Sequence, residues 1–433
     1  MKAQDRSFIG ATIIVVLAII PVFFWLGMKP LAGRFSSFYL VMTSIGQLTG
    51  LVGMVLFSTS LVLASRNKYL EKIFFGLNDT YINHHIIGGI AFILLLWHPI
   101  TLAMRYAPLS IIAAATFLIP SMDNVPVAYG IFSLILMIIL LWLTFYVRPK
   151  YHIWKSTHKF LGLAFFIAGL HVFLIPSDVS RSYGLRFYML AIAFLGLAAI
   201  FYRTILDMGK KWKYKVNYVK ELMPGSLFEI DLAPAGEQMP FLPGQFIFIS
   251  FRGKGISAES HPFSLASSPK EKNIKIIVKN LGDYTKNMKG IMPGTEAVIQ
   301  GPFGQFDYRN FSEEQIWIAG GIGIVPFLSM AKDFQTQGKH KIHLFYSVGK
   351  AEEGIHSEYF DSLTKGNVSF KFRFHDTSKD GFITAQKISQ LCGDVKNKEV
   401  LICGPVPMMA SLKKQFLEIG VSKKNIHTEE FML

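Results

Sequence analysis

Cysteine is almost missing from this chain: 433 residues carry only Cys392 and Cys403. That excludes a disulfide-stapled scaffold and leaves no cysteine cluster for zinc or iron–sulfur ligation. Acidic residues are also scarce, 29 Asp and Glu against 44 Lys and Arg, for a net charge of +15. No D-x-D-x-D-G loop is present, so an EF-hand is not expected. There is no internal repeat and no low-complexity tract, which excludes a solenoid. Nothing in the basic excess points to nucleic acid.

Charge itself is nearly missing from six stretches, near 8–28, 37–64, 86–104, 127–147, 160–175 and 187–205. Each is long enough to cross a bilayer core of about 30 Å. No comparable run follows Arg203. The first stretch follows Lys2 and Arg6 and lacks a small-residue cleavage pattern, so it is expected to be retained. With the N-terminus in the cytoplasm, the inner flanks hold Lys2, Arg6, Arg66, Lys68, Lys72, Arg148, Lys150, Lys155, Lys159, Arg203, Lys210, Lys211, Lys213 and Lys215. The outer flanks hold Lys29, Arg34, Arg105, Arg181 and Arg186. This bias predicts a multi-pass protein of the cell membrane whose second half is cytoplasmic. The segment 106–126 is too short to span and reads as an outer loop lying partly in the interface.

Six of the twelve histidines fall in the membrane half, at His84, His85, His98, His152, His158 and His171. Neutral imidazole is an axial ligand for haem iron, and buried intramembrane histidines are functional candidates. One such histidine could equally be hydrogen-bonded across helices; four at two matching spacings favour ligation. His84 and His98, fourteen apart, are separated by about 21 Å of helix and lie roughly 40° apart around it. His85 would fall about 140° from His98. His158 and His171 are thirteen apart, which an ideal helix also places about 140° apart, so a distortion is required there. Two haems would then be held by His84 with His158 and by His98 with His171. Gly88, Gly89 and Gly162 are candidates for leaving room beside the ligands, and Phe165 and Phe166 for bridging the two levels. Arg34 is expected at the start of the second span, near the outer level, where a cation would favour a developing anion.

From about residue 212 the pattern changes. "KVNYV", "LFEIDL", "FIFISF", "IKIIVKN" and "EAVIQG" read as strands of a small antiparallel barrel. From "QIWIAGG" onward, strand-like runs alternate with helical stretches, as in a parallel α/β domain. "AGGIGIVPF" (319–327) places Gly320, Gly321 and Gly323 in a strand-to-helix turn, with Pro326 in the first helical turn. Cys403 follows the strand "EVLI", at the edge where such sheets bind ligands. Cys392 reads as structural. Lys350 and Lys379 are candidates to hold an anionic phosphate of such a ligand.

"PGQF" (243–246), "HPFSLASSP" (261–269), "VKNLGDYT" (278–285), "GPFG" (301–304), "AGGIGIVPF" and "CGP" (403–405) follow one another in the order of ferredoxin-reductase-like flavoproteins. Joined to the histidine ladder, the chain resembles the NADPH oxidase and ferric reductase superfamily, and is most similar to prokaryotic NADPH oxidases that work without partner subunits. The resemblance implies a six-span α-helical haem domain (1–208), an FAD-binding antiparallel β-barrel (209–312) and an NAD(P)-binding α/β domain (313–433). It implies FAD at His261, Pro262, Phe263, Ser264, Lys279, Gly282, Asp283, Tyr284 and Thr285, with Ser264 near the atom that receives hydride. Thr285 would cap a helix aimed at phosphate. It implies NADPH or NADH at Gly320, Gly321, Gly323, Pro326, Lys350, Cys403, Gly404 and Pro405, with Cys403 beside the nicotinamide and Phe431 stacked on the flavin. The implied function is electron transfer from NAD(P)H through FAD and two b-type haems to an external acceptor. Dioxygen giving superoxide leads; a ferric or cupric chelate is the alternative. No obligatory protein partner is implied.

Overall fold

The computed structural model describes residues 3–74, 76–147, 149–203, 211–253, 256–282, 284–285, 288–334 and 340–430. The chain divides into two compact units, Met1–Met208 and Gly209–Leu433.

The first unit is all-helical: α1 (Ala3–Met28), α2 (Leu31–Arg34), α3 (Phe38–Leu63), α4 (Lys68–Ile73), α5 (Leu77–Met104), α6 (Ile111–Thr116), α7 (Val125–Trp142), α8 (Tyr151–Lys159), α9 (Leu161–Leu174), α10 (Asp178–Arg181) and α11 (Tyr183–Phe201). Among the described residues, six stretches are long and apolar enough to cross a membrane: Ile9–Met28, Phe38–Leu63, Leu77–Met104, Met122–Val147, Ile153–Leu174 and Tyr183–Phe201. The protein is a multi-pass membrane protein. The segment 106–126 contains the six-residue α6, with Ile111 and Ile112 exposed, then a 3-10 turn at Met122–Asn124 and the start of α7.

Local chemistry sets the helix ends. Asn67 caps α4 and Asn124 caps α7, where Pro126 fits the first turn. Pro176 follows the end of α9 and forbids its continuation. The fifth span differs from a regular helix. It is α8 followed by α9, joined at Phe160, whose amide bonds to the Thr157 carbonyl while its own carbonyl accepts from Leu163 and Ala164. The tighter turning there advances a residue by about 120° instead of 100°, which reduces the offset between His158 and His171 without closing it.

Arg34 is corrected by the structure. It lies on α2, 4% exposed. Its Nη1 sits 3.2 Å from Asp178 Oδ2, its Nη2 donates to the Trp25 carbonyl, and its guanidinium lies 3.7 Å over the Trp25 ring. The cation is consumed in tying α1, α2 and α10 together, so it is not offered to an acceptor. The glycines also have other work. A Cβ on Gly88 would meet Ser60 Oγ at 3.2 Å, and one on Gly162 would meet Ile200 at 3.2 Å, so both serve helix contacts. Phe165 is buried edge-on against Phe57 (5.1 Å) while Phe166 is exposed.

The second unit holds two sheets. Strands β1 (Lys211–Met223), β2 (Leu227–Pro234), β3 (Phe246–Arg252), β4 (His261–Ser264), β5 (Ile274–Lys279) and β6 (Glu296–Phe303) form an antiparallel sheet in the order β4-β3-β6-β1-β2-β5. Leu265, just past β4, pairs with Ile276 of β5 and joins the two edges into a barrel. Along β1, Trp212, Tyr214 and Val216 enter the barrel core while Lys211, Lys213 and Lys215 face out. The second sheet is fully parallel, β11-β10-β7-β8-β9: β7 (Glu314–Gly320), β8 (Lys341–Val348), β9 (Phe370–Asp376), β10 (Glu399–Cys403) and β11 (Ile426–Glu429). Helices α12 (Ile324–Phe334), α13 (Ser357–Gly366), α14 (Thr377–Asp380), α15 (Ala385–Cys392) and α16 (Val406–Glu418) connect these strands. The barrel and the α/β domain are stitched by α12. Ser329 Oγ donates to the Ser267 carbonyl (2.7 Å), and Asp333 accepts from Tyr308 (2.9 Å).

Removing one partner of the Arg34–Asp178 pair strands the other charge in an apolar setting. Arg34→Ala is expected to destabilise the helical unit by about 3 kcal/mol, with a smaller loss when Asp178→Ala is added. Thermal unfolding of the detergent-solubilised single and double variants checks this; additive losses would contradict the coupling.

Candidate functional site

The helical unit brings its four candidate histidines together in two pairs. His84 on α5 faces His158 on α8 with ring centres 6.3 Å apart, and His98 on α5 faces His171 on α9 at 6.2 Å. Two metal–nitrogen bonds of about 2 Å, plus roughly 1 Å from each nitrogen to its ring centre, give about 6 Å for two imidazoles on opposite sides of one metal. Each pair has that spacing.

The rings are also oriented. His98 Nδ1 lies 2.6 Å from the Gly46 carbonyl, His171 Nδ1 2.7 Å from the Pro126 carbonyl, and His84 Nδ1 2.9 Å from the Ser60 carbonyl. A carbonyl can only accept, so Nδ1 of His98 and of His171 carries the proton and Nε2 keeps its lone pair for a metal; His84 Nδ1 also lies 2.9 Å from Ser60 Oγ, a hydroxyl that can donate or accept. Close approach of the helices makes this possible. A Cβ on Gly50 would fall 2.6 Å from His98 Nδ1, and one on Gly130 3.0 Å from His171 Nδ1. The histidine pattern alone does not reveal these residues or Gly46. The four-residue spacing of Gly46 and Gly50 in "GQLTG" is the available signal, since small residues at that spacing mark close helix contacts. His85 lies beside His84 (5.4 Å between ring centres), adjacent to the first pair.

In the barrel, β4 carries "HPFS" in register with β3, Ser264 opposite Phe246 and His261 opposite Ile249. His261 stacks on Tyr284 with ring centres 3.8 Å apart and meets Glu259 at 3.2 Å. Phe263 packs onto the barrel core. Tyr284 Oη is buried with no hydrogen-bond partner among the described residues, and burial pushes its phenol up. Lys279 ends β5 and is exposed. Thr285 Oγ1 accepts from the amides of Leu281 and Gly282 (both 3.0 Å), closing this turn. A Cβ on Gly282 would meet nothing within 4 Å, leaving that backbone open to a ligand. Asp283 and Phe431 lie outside the described residues.

In the parallel sheet, the turns after β7 and β10 interlock backbone to backbone. A Cβ on Gly323 would fall inside the Cys403 carbonyl, one on Gly404 would meet Gly320 Cα at 3.0 Å, and one on Gly320 would meet Pro405 at 2.8 Å. These three glycines are therefore demanded by turn packing. Gly321 is different: its φ is +51° and nothing lies within 4 Å of its Cβ position, so its backbone faces open space in the 3-10 turn that precedes α12. Pro326 is buried in the first turn of α12. Cys403 is 2% exposed at the carboxyl end of β10, in register with Ala319 and Glu429; burial and the neighbouring Glu429 push its thiol up. Lys350 follows β8, and Lys379 on α14 pairs with Asp376 at 3.8 Å. Asp376 also accepts from the Ala351 amide at 3.2 Å, tying the two lysine-bearing loops together at one sheet edge.

Three families match the chain in tandem. Residues 49–169 match the ferric reductase like transmembrane component, 211–311 an FAD-binding domain and 317–414 an oxidoreductase NAD-binding domain. The chain has the architecture of the NADPH oxidase and ferric reductase superfamily. This arrangement indicates NAD(P)H-driven electron transfer across a membrane by an FAD-dependent oxidoreductase. The chain is similar to Flavohemoprotein A of Dictyostelium discoideum, 24% identical over 278 residues, covering 59% of this chain and 70% of the relative. It is 24% identical over 229 residues to the toluate 1,2-dioxygenase electron transfer component of Pseudomonas putida, covering 50% of this chain and 66% of that relative. A solved flavohemoglobin from Malassezia yamatoensis aligns with a TM-score of 0.52 at 17% identity, over 90% of this chain and 98% of that one, a likeness of fold.

Gly323→Ala is expected to force the two interlocked turns apart and to weaken NAD(P)H binding by about tenfold, roughly 1.4 kcal/mol. Stopped-flow flavin reduction across nucleotide concentrations checks it. Burial also pushes the Cys392 thiol up, to about 11. A raised thiol pKa means little thiolate, so alkylation of either cysteine at about pH 7.5 is expected to be slow in folded protein and fast after denaturation. Mass spectrometry after iodoacetamide treatment reads this directly.

Proposed function

We propose that this chain is a superoxide-generating NAD(P)H oxidase of the cell membrane, most similar to prokaryotic NADPH oxidases that need no protein partner. The observation that carries the reading is the two imidazole pairs, 6.3 and 6.2 Å apart, in a membrane unit followed by FAD- and NAD-binding domains. The N-terminus and the nucleotide-binding half are cytoplasmic, as the lysine and arginine bias favours. The domain limits are 1–208 for the haem domain, 209–312 for the FAD domain and 313–433 for the NAD(P) domain.

FAD, when bound, supplies conversion of a hydride into single electrons, and b-type haem supplies one-electron carriers. His84 and His158 would hold the inner haem and His98 and His171 the outer one, with the carbonyls of Ser60, Gly46 and Pro126 orienting three of the rings through Nδ1. The β4 strand, from His261 to Ser264, lines the flavin, with Gly282 and Tyr284 beside it. Gly321 offers its amide to the dinucleotide phosphate, and Gly320, Gly323, Gly404 and Pro405 shape the turns that let nicotinamide approach Cys403. Lys350 and Lys379 would favour NADPH, Ser264 would lie on the hydride-accepting side of the flavin, and Phe431 is the candidate to cover its face. The reaction balances with one NAD(P)H and two dioxygen molecules giving NAD(P)⁺, a proton and two superoxide anions.

Dioxygen is the leading acceptor in this reading, and a ferric or cupric chelate is the alternative.

Anaerobic NADPH with added FAD should produce a reduced b-type haem spectrum, and cytochrome c reduction in air should be inhibited by superoxide dismutase. Dismutase-insensitive reduction of ferric or cupric chelates would assign the acceptor to the metal. His98→Ala or His171→Ala should remove one haem while flavin reduction by NADPH continues; His84→Ala or His158→Ala should remove the other; His85→Ala should keep both. Pyridine haemochrome content per chain reads each case, and two haems retained in every variant would refute the ligand assignment.

A further inference from the structure

The four rings are not held alike. His84, His98 and His171 each place Nδ1 against a main-chain carbonyl of another helix. His158 Nδ1 is buried and has no hydrogen-bond partner among the described residues. In place of an acceptor, His158 has Trp154, one turn earlier on α8. The two rings are stacked, with centres 5.3 Å apart and planes inclined by 29°. An i, i+4 pair on one helix face meets in this way, and an offset aromatic stack fixes a ring's plane without donating or accepting a proton.

We propose that Trp154 is the positioning residue for His158, setting by stacking the ring orientation that hydrogen bonds set elsewhere, and that the inner iron site is thereby less electron-rich than the outer one. This rests on the reading of the four histidines as haem ligands. An Nδ1–H bonded to a carbonyl pushes electron density into the ring and makes Nε2 a stronger donor. The outer pair has two rings anchored in this manner and the inner pair has one. A weaker donor stabilises the oxidised iron less, so His158 raises the potential of the inner centre relative to what two anchored ligands would give. The stack also bears on the angle between the two imidazole planes, 77° between His84 and His158.

The test uses full-length haem-loaded protein and the variants Trp154→Phe, Trp154→Leu and Trp154→Ala. Haem per chain, redox titration and low-temperature electron paramagnetic resonance of the oxidised haems are measured. Trp154→Phe should keep both haems and the wild-type spectrum. Trp154→Leu, which keeps apolar bulk but no ring, should shift the inner signal and its midpoint potential while the outer signal stays fixed. Trp154→Ala should lower haem content from two towards one per chain, with the outer haem retained. An inner signal and potential unchanged in Trp154→Leu and Trp154→Ala would overturn the proposal. Equal loss of both haems would also overturn it, by showing a general folding role. Wild-type protein that binds no haem would overturn the ligand reading itself, a result distinct from normal haem content with indifferent Trp154 variants.

Discussion

A ring N–H buried among apolar helices needs an acceptor, and here the main chain of neighbouring helices supplies it. The Gly46 and Ser60 carbonyls come from α3 and the Pro126 carbonyl from the first turn of α7. In a helix those oxygens are normally engaged by amides farther along, so a side chain reaches them only where helices pack very closely. Gly50 and Gly130 give that closeness, because any Cβ there would press on the imidazole. Ring orientation, helix spacing and the presence of glycine are thus one constraint seen from three sides. The fit to a metal between facing rings follows from it.

The helical half is legible in the sequence where the signal is long-range and cumulative. Six uncharged stretches and one face carrying His84 and His98 need only composition and helical period. That His158 and His171 both meet α5 is not legible, since a regular period puts them on opposed faces and the junction at Phe160 carries no proline to announce it. Arg34 is opaque for a related reason. Its partner Asp178 lies 144 positions away, and a single charge at a helix end says nothing about a distant carboxylate. Gly88 and Gly162 suggest space beside ligands, whereas the bare positions that matter sit on the opposing helices.

In the cytoplasmic half the alternating barrel strands and the parallel α/β alternation follow from period and turn chemistry. The short strand β11, "IHTE", escapes because it is only four residues long and half polar. Motif glycines present a different difficulty. A glycine-rich turn suggests ligand approach, yet Gly320, Gly323 and Gly404 answer to the contact between two turns, while Gly321 faces open space. A sequence gives the residue type but not which neighbour demands it.

The acceptors that orient the outer histidines belong to the peptide backbone, and backbone carbonyls are the one part of a protein that no substitution removes. A replacement at Gly46 or Pro126 alters bulk or helix geometry, yet it hands the next residue the same oxygen. Apart from Gly50 and Gly130, which must stay bare, side chains around the two rings can therefore diverge while the protonation form of the imidazoles is inherited unchanged. A site built in this way separates what can drift from what cannot. Its electronic character is written into the path of the chain, and its selectivity into the residues along it.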